Sequence, residues 1–484
     1  MDIVVKRHNE SFVQIICDRG IAFEIREFFT YRPKNYFFHP SFKAKKWDGK
    51  IYLFNVGTRL LHYGLWRKVV EFAETNDYTI SVDPAISLPL FEREQLVKAF
   101  REMVDALNVP FKPYDFQENV CINSINDTRS LIESPTASGK TYIAYLITRF
   151  LAQKTIIIVP NTQLAHQMYK DWENYGYDCA KNVHVVTAGI EKGSTKPVVI
   201  TTWQSVYKLD PKAFIDYKVA IGDEAHHCNA KSLVSVFDKL VNCKFRFGMS
   251  GSFEEDSAVA MIQLEGIFGK KYVSATTKEL IDRGVLSDIE IEGIILKYNE
   301  SDAEFVRTLK AYKEEIKFIL QHQKRNAFII KLASMLKGNV LVLFRNRKHG
   351  KLLFELAKAL VPDRPVHFID GTVKGSKRND LSEHISTLKS SINICSFGTF
   401  AEGVNIPNLH NGIAAAPMKS ETKNKQSRGR GLRKHDSKEK FKLYILGDDL
   451  TYNDKPNYAL QHFNGQLKMH IKDKLNVTIK TVKL

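Results

Sequence analysis

The sequence predicts an α/β fold: two tandem parallel-sheet domains behind a small α+β domain. Three observations carry this reading. From residue 130 onward, short β-branched runs such as "TIIIVP", "PVVITTW", "KVAIGDE", "FRFGMSGS", "NVLVLFRN", "INICSF" and "FKLYILGD" alternate with helical stretches. Near-continuous apolar strands joined by crossover helices belong to parallel sheets covered on both faces. The runs form two sets, separated by "SDAEFVRTLKAYKEEIKFILQHQKRNAFIIKLASMLKG", a long helical stretch without strand patterning. The beginning of the chain reads differently, with short alternating strands, one early helix and a polar connection around "SVDPAISLP".

Taken in order, residues 1–100 are expected to form the small α+β domain, residues 101–288 the first parallel-sheet domain and residues 289–484 the second. A chain of 484 residues is too long for one core. No apolar run approaches the roughly 20 residues that span a bilayer, and "MDIVVKRHNE" lacks the apolar middle and cleavage site of a signal peptide. The cysteines (Cys17, Cys121, Cys179, Cys228, Cys243, Cys395) show no C-x-x-C spacing, which suits reduced thiols and a cytoplasmic compartment. The net charge of +17 favours a polyanionic partner through release of counterions from phosphates. A generally basic surface kept for solubility is the alternative.

"LIESPTASGKTYIAYLITRF" follows an apolar segment and opens a helix. Its Ser134-x-x-x-x-Gly139-Lys140-Thr141 spacing is that of a P-loop whose first glycine is serine. Phosphate binding asks for N–H groups at a helix N-terminus, a lysine for the terminal phosphates and a hydroxyl for Mg²⁺, and Gly139, Lys140 and Thr141 supply these. Further on, "YKVAIGDEAHH" is an apolar strand ending in Asp223 and Glu224. A nucleotide-hydrolysing α/β domain places its magnesium carboxylate and its water-activating acid there. In this reading Asp223 holds Mg²⁺ through water and Glu224 polarises the attacking water, with ATP and Mg²⁺ as cofactors. Zinc would need three or four ligands at defined spacing. The consecutive His226, His227 and Cys228 cannot converge on one ion, and His227 and Cys228 read as local packing residues.

"SPTASGKT", "GDEAH", "MSGS" and "QSRGRGLR" occur in the order and spacing of superfamily 2 helicases and translocases, whose motifs run here from about residue 114 to residue 433. With "FKAKKWDGKIYLF", "LLHYGL" and the final "KTVKL" added, the whole chain resembles the recombination and fork-remodelling helicases of T-even-type bacteriophages. The resemblance implies two RecA-like domains with ATP between them. It places Ser138, Gly139, Lys140 and Thr141 on the phosphates and Gln117 on the adenine, where Tyr114 could stack. Asn161 and Gln163 in "VPNTQLAHQ" and Thr202 in "TTWQS" match segments that track a nucleic-acid strand. Ser250 and Ser252 match the motif linking hydrolysis to strand movement, with His226 between it and the nucleotide. In the second domain Arg345, Thr399, Glu402 and Gly403 match strand-binding and coupling motifs. By the same resemblance Gln426 is expected to contact the nucleotide, and Arg430 and Arg433 match finger arginines, each such finger being worth on the order of 10³ to 10⁵ in rate. Two departures stand out: Ser134 replaces the first P-loop glycine, and Asn161 sits where threonine is usual.

The implied partner is DNA, preferably branched (forks, Holliday junctions, displacement loops), with RNA–DNA hybrids and a single-strand-binding protein as further candidates. No membrane is involved, and the setting would be the cytoplasm of an infected bacterial host. Two motor alternatives are a DEAH-type RNA helicase, from the spelling Asp223 to His226, and a double-strand translocase that never separates strands; a third is a passive binder with a decayed motor. Within "YRPKNYFFHPSFKAKKWDGK", Phe37, Phe38 and Trp47 read as core, while Lys43, Lys45 and Lys46 read as nucleic-acid contacts. Lys438 and Lys440, flanking the arginine motif, read as an exposed charged loop.

Overall fold

The β-branched runs after residue 130 become a seven-stranded, all-parallel sheet. Its strands lie in the order Lys271–Val273, Arg129–Glu133, Phe245–Ser250, Val219–Gly222, Thr155–Val159, Val198–Thr202, Val183–Val186. Side chains alternate across a strand, yet both faces here are apolar. Ile157 and Val159 enter one buried cluster, while Ile156 and Ile158 enter the cluster on the other face. That is why these runs read as continuous rather than alternating. The computed structural model describes the chain except residues 35, 88, 108, 188–193, 228–230, 254–257, 310, 374, 405 and 419, and also leaves out the side chains of 231, 258, 375, 376, 379 and 401–403. Two compact units emerge: Met1–Ser134 with Gly139–Ser274, and Pro135–Ser138 with Ala275–Leu484.

The first unit also contains the N-terminal α+β layer. Its mixed sheet runs Leu60–His62, Phe12–Cys17, Ile3–Arg7, Ile80–Val82, antiparallel except for the last pairing. The helices Arg19–Phe28 and Trp66–Thr75 bury Ile21, Ile25, Val69 and Phe72 in a core with Ile3, Val5, Val13 and Ile15. A two-stranded ribbon, Thr30–Tyr31 with Ile51–Tyr52, brackets the basic aromatic segment. The expectation that its aromatics form a core needs correction for two of them: Phe37 and Phe38 are 48% and 63% exposed. A two-residue ribbon has no second layer to cover them, and the intervening chain is one 3₁₀ turn and one short helix, Pro40–Lys43. Trp47 is half-buried, its indole N–H donating to the Lys50 carbonyl at 2.7 Å.

The second unit repeats the architecture. Its parallel strands run Val366–Ile369, Ser391–Ser396, Asn339–Phe344, Leu409–Ala414, Lys440–Asp449, Asp288–Lys297, Val477–Lys483. The long helical stretch becomes three helices, Glu300–Thr308, Tyr312–Gln321 and Gln323–Met335. Arg325, in the third, is fully buried against Asp448: its Nε donates to Oδ1 at 2.6 Å and its Nη2 to Oδ2 and the Ala415 carbonyl, both at 3.0 Å. The Tyr298 hydroxyl also donates to Asp448, at 2.8 Å. The two sheets with their covering helices, and the small mixed-sheet layer, are the α/β class expected from the sequence. Among the described residues, no helix is long and apolar enough to cross a membrane.

Candidate functional site

In parallel sheets the loops after the strands' C-terminal ends carry ligands, and the motif residues of the first unit gather there. Strand Arg129–Glu133 delivers Ser134, which is buried; its N–H donates to the Ser250 carbonyl at 2.9 Å and its hydroxyl accepts from Ser274 Oγ at 2.8 Å. The departure from glycine thus has a use, since the hydroxyl ties down the start of the loop. Ser138 Oγ donates to the Pro135 carbonyl at 2.6 Å. Gly139 then turns the chain at φ +89° into helix Lys140–Leu151. A Cβ here would sit 2.4 Å from Gln117 Nε2, so two independent constraints demand glycine. Gln117 is itself buried and held, its Oε1 accepting from the Tyr114 N–H at 3.0 Å. Tyr114 is half-exposed and stacks on Phe116 at 5.3 Å.

Strand Val219–Gly222 delivers the acidic pair. Lys140 Nζ lies 3.0 Å from Glu224 Oε1, and Glu224 Oε2 is 3.3 Å from His226 Nδ1. Nδ1 is also 2.8 Å from Ser250 Oγ, which donates to the Ser252 carbonyl at 2.7 Å. With the serine hydrogen committed to that carbonyl, the imidazole N–H is the donor to Ser250. Burial drives His226 down to about 4, so it is neutral at physiological pH. Burial, reinforced by Glu224, raises the Asp223 carboxyl above the usual carboxylate range. Glu224 stands at φ +49°, a costly backbone for a non-glycine residue and frequent at active sites. His227 is exposed and lies 4.0 Å from His226, ring to ring; Cys228 falls outside the described residues.

The strand-tracking candidates sit at neighbouring strand ends. Asn161 caps helix Thr162–Asn174, its side chain accepting from the Leu164 N–H at 3.0 Å, with Gln163 in the first turn. Asparagine is among the best N-caps, so the departure from threonine preserves helix initiation. Thr202 ends its strand, its hydroxyl 2.9 Å from Ser205 Oγ. On the N-terminal domain Lys43, Lys45 and Lys46 are all exposed, and the Lys43 ammonium lies 5.7 Å from the centre of the Phe38 ring.

In the second unit Arg345 follows strand Asn339–Phe344 and is exposed. Thr399 lies in the first turn of helix Phe397–Gly403, its N–H and hydroxyl both engaged with Oγ of the capping Ser396. Glu402 and Gly403 end the same helix, and the Glu402 side chain lies outside the described part. Gln426 is buried on helix Glu421–Gly431; Arg430 is half-buried, its Nη1 donating to the Val404 carbonyl at 2.9 Å. Arg433 follows the helix, its carbonyl accepting from Ser287 Oγ at 3.2 Å. Sequence reasoning did not single out Arg428. It is buried and bonded to Asp473 at 2.7 Å and His470 at 2.9 Å, which anchors the helix. The signal available, three arginines in "QSRGRGLR", does not say which is internal. Lys438 is a second correction: it is buried rather than exposed, donating to the Gly431 carbonyl at 2.7 Å. An unpaired carbonyl at a helix C-terminus draws in a cation, and burial brings this lysine down to about 8. Lys440 does reach the surface, where it pairs with Glu290.

Two family models match. Residues 94–255 match "Type III restriction enzyme, res subunit", and residues 2–83 match "DNA helicase UvsW, N-terminal". The ATP-dependent DNA helicase UvsW of enterobacteria phage T4 is 33% identical, with both chains covered in full. The chain belongs to the UvsW family of DNA helicases. It is accordingly an ATP-dependent helicase that acts on DNA. The crystal structure of T4 UvsW covers the whole of this UvsW-family chain at 30% identity with a TM-score of 0.53. The DNA-bound type ISP restriction-modification enzyme LlaBIII, at 14% identity and a TM-score of 0.57 over 78% of this chain and 32% of its own, shares the fold alone.

Proposed function

We propose that Ser138, Gly139, Lys140 and Thr141 hold the phosphates of ATP, that Gln117 and Gln426 contact the nucleotide, and that Glu224 polarises the attacking water. The observation that carries this is the bonded series Lys140–Glu224–His226–Ser250–Ser252, because it joins a phosphate lysine and an acid to the turn of the coupling motif. The Thr141 hydroxyl and the Asp223 carboxylate are hard oxygen donors of the kind Mg²⁺ accepts while keeping most of its waters. Bound there, the ion would neutralise charge on the terminal phosphates. Arg430 and Arg433 act as the finger arginines. Asn161, Gln163, Thr202, Arg345 and Thr399 hold the DNA strand, and Ser250, Ser252, Glu402 and Gly403 couple its movement to hydrolysis. The chain is divided as residues 1–100, 101–288 and 289–484.

The preferred substrates in this reading are branched DNAs, with RNA–DNA hybrid loops and a single-strand-binding protein as further partners, in the cytoplasm of the infected host. Exposed Phe37 and Phe38 beside Lys43, Lys45 and Lys46 support a strand grip on the N-terminal domain, since stacking plus phosphate-directed cations holds nucleic acid without reading sequence. Steady-state ATP hydrolysis without nucleic acid, then with single strands, duplex, a four-way junction and RNA, tests the reading, with Lys140→Ala as the blank. Greatest stimulation by the junction, lost in the blank, is expected. Stimulation by RNA alone would overturn it.

A further inference from the structure

Two neighbouring strands of the first unit begin with buried cations that the ATP site does not use. Arg129 opens strand Arg129–Glu133, Arg246 lies at the start of Phe245–Ser250, and the two are register partners in the parallel pair. They are 4% and 1% exposed. The far ends of the same strands lead into Ser134 and Ser250. Two guanidinium groups side by side in a dry place persist only if each is paired or fully hydrogen-bonded.

The N-terminal domain contributes to both. Arg129 Nη2 donates to the Glu10 carboxylate at 2.8 Å and to the Glu10 carbonyl at 2.6 Å, and the Tyr63 ring lies 4.0 Å from the guanidinium. Arg246 Nη2 donates to Ser11 Oγ at 2.7 Å, while its remaining bonds go to the carbonyls of Phe237, Leu240 and Cys243. The same turn is stitched down by the Glu10 N–H to the Val241 carbonyl at 2.9 Å and by Ser11 Oγ to the Asp238 carbonyl at 3.0 Å. A second contact involves no charge. A Cβ on Gly64 would lie 1.9 Å from the Glu265 carbonyl oxygen, so backbone meets backbone there. Nearby, Ile262 of helix Ala258–Phe268 is part of the N-terminal core, and Lys68 pairs with Glu265 at 3.3 Å. Domains joined through a small polar interface swivel by default. A buried cation pair, a backbone-tight contact and a shared core oppose that here.

We propose that the Glu10–Ser11 turn and the Gly64 contact lock the N-terminal domain onto the first parallel-sheet domain, so that the two move as one body through the ATP cycle and carry any DNA on the N-terminal surface with them. Glu10, Ser11 and Gly64 are then positioning residues for unwinding. The last step rests on the strand grip proposed above; the rigid attachment does not.

The test uses the full chain with dyes at Glu74→Cys and Lys208→Cys, exposed positions on the two domains, in a background with Cys17 and Cys228 replaced by serine. Energy transfer should be the same without nucleotide, with a non-hydrolysable ATP analogue and with ADP, branched DNA being present throughout. A nucleotide-dependent change overturns the proposal. Glu10→Gln and, separately, Gly64→Val should broaden the transfer distribution, leave DNA-stimulated ATP turnover within about twofold and lower strand displacement by about tenfold or more. Equal loss of turnover and displacement, or broadening with displacement intact, overturns it as well. The dye measurement uses the unaltered seam and therefore decides even if a variant fails to fold. If Lys43, Lys45 and Lys46 changed together to alanine leave DNA binding untouched, the strand grip fails while the attachment is still judged by energy transfer.

Discussion

Replacing Arg325 with methionine takes a fully buried cation out of the second unit and leaves Asp448, equally buried, with the Tyr298 hydroxyl as its one remaining side-chain partner among the described residues. Three hydrogen bonds disappear, two of them to the carboxylate and one to the Ala415 carbonyl. Breaking such a pair from one side costs about 3–5 kcal/mol, because a charge stays behind without compensation. In a unit of this size each kcal/mol lowers the melting midpoint by about 2–4 °C, which gives a drop of about 6–20 °C. The assay can be assigned to the unit: Trp47, Trp66, Trp172 and Trp203 all lie in the first unit, so tryptophan fluorescence reports that unit while far-ultraviolet circular dichroism reports both. The dichroism transition of Arg325→Met should fall by the stated amount. Adding Asp448→Asn, which removes the stranded charge and keeps an acceptor for Tyr298, should restore most of it. A drop under about 2 °C, or a double variant no better than the single one, would refute the reasoning.

Three further outcomes are expected. Glu224→Gln should lower kcat for ATP by about 10²–10⁴ while a non-hydrolysable analogue still binds, as titration of analogue fluorescence would show. His349, buried beside Asn326 at 3.0 Å, is held down to about 3 by burial and then by Arg325. Below its ordinary value the unfolded chain takes up a proton that the fold refuses, so stability is lost as pH falls from about 6.5 towards 3, by up to about 1.4 kcal/mol per unit; denaturation midpoints of His349→Gln should show a shallower acid slope. Changing Lys43, Lys45 and Lys46 together to alanine should flatten the plot of log affinity for DNA against log salt by about 2 to 3.

What could be read in the sequence follows from what buries what. Runs apolar on both faces, such as Thr155–Val159, announced themselves because nothing polar interrupts them. Strand Asp288–Lys297, in contrast, is absent from the runs that the sequence offered as strands. Its opening "DIEIE" turns Glu290 and Glu292 toward lysines on the neighbouring strands, Lys442 at 3.1 Å and Lys480, and that cross-strand pairing has no local signature. The residues proposed for the ATP site stand out in the sequence because phosphate chemistry fixes residue types at short spacings. Lys438 was not, since its partner is a backbone carbonyl created only when a helix ends at Gly431. Phe37 and Phe38 misled because an aromatic residue predicts a core only if a second layer exists to cover it.

The packing of Gln117 against Gly139 reaches beyond either residue. The amide occupies the volume that any side chain at 139 would need, and it is held there by the turn that starts its own helix. The two positions, 22 residues apart in sequence, therefore behave as one piece of shape. A side chain at 139 is excluded twice over, by that occupied volume and by the φ of +89°, and a new side chain at 117 would change the packing against the Gly139 turn. If Gln117 reads the base and this loop the phosphates, as proposed above, redesigning base preference alters the grip on the triphosphate in the same stroke, and the two properties have to be selected together.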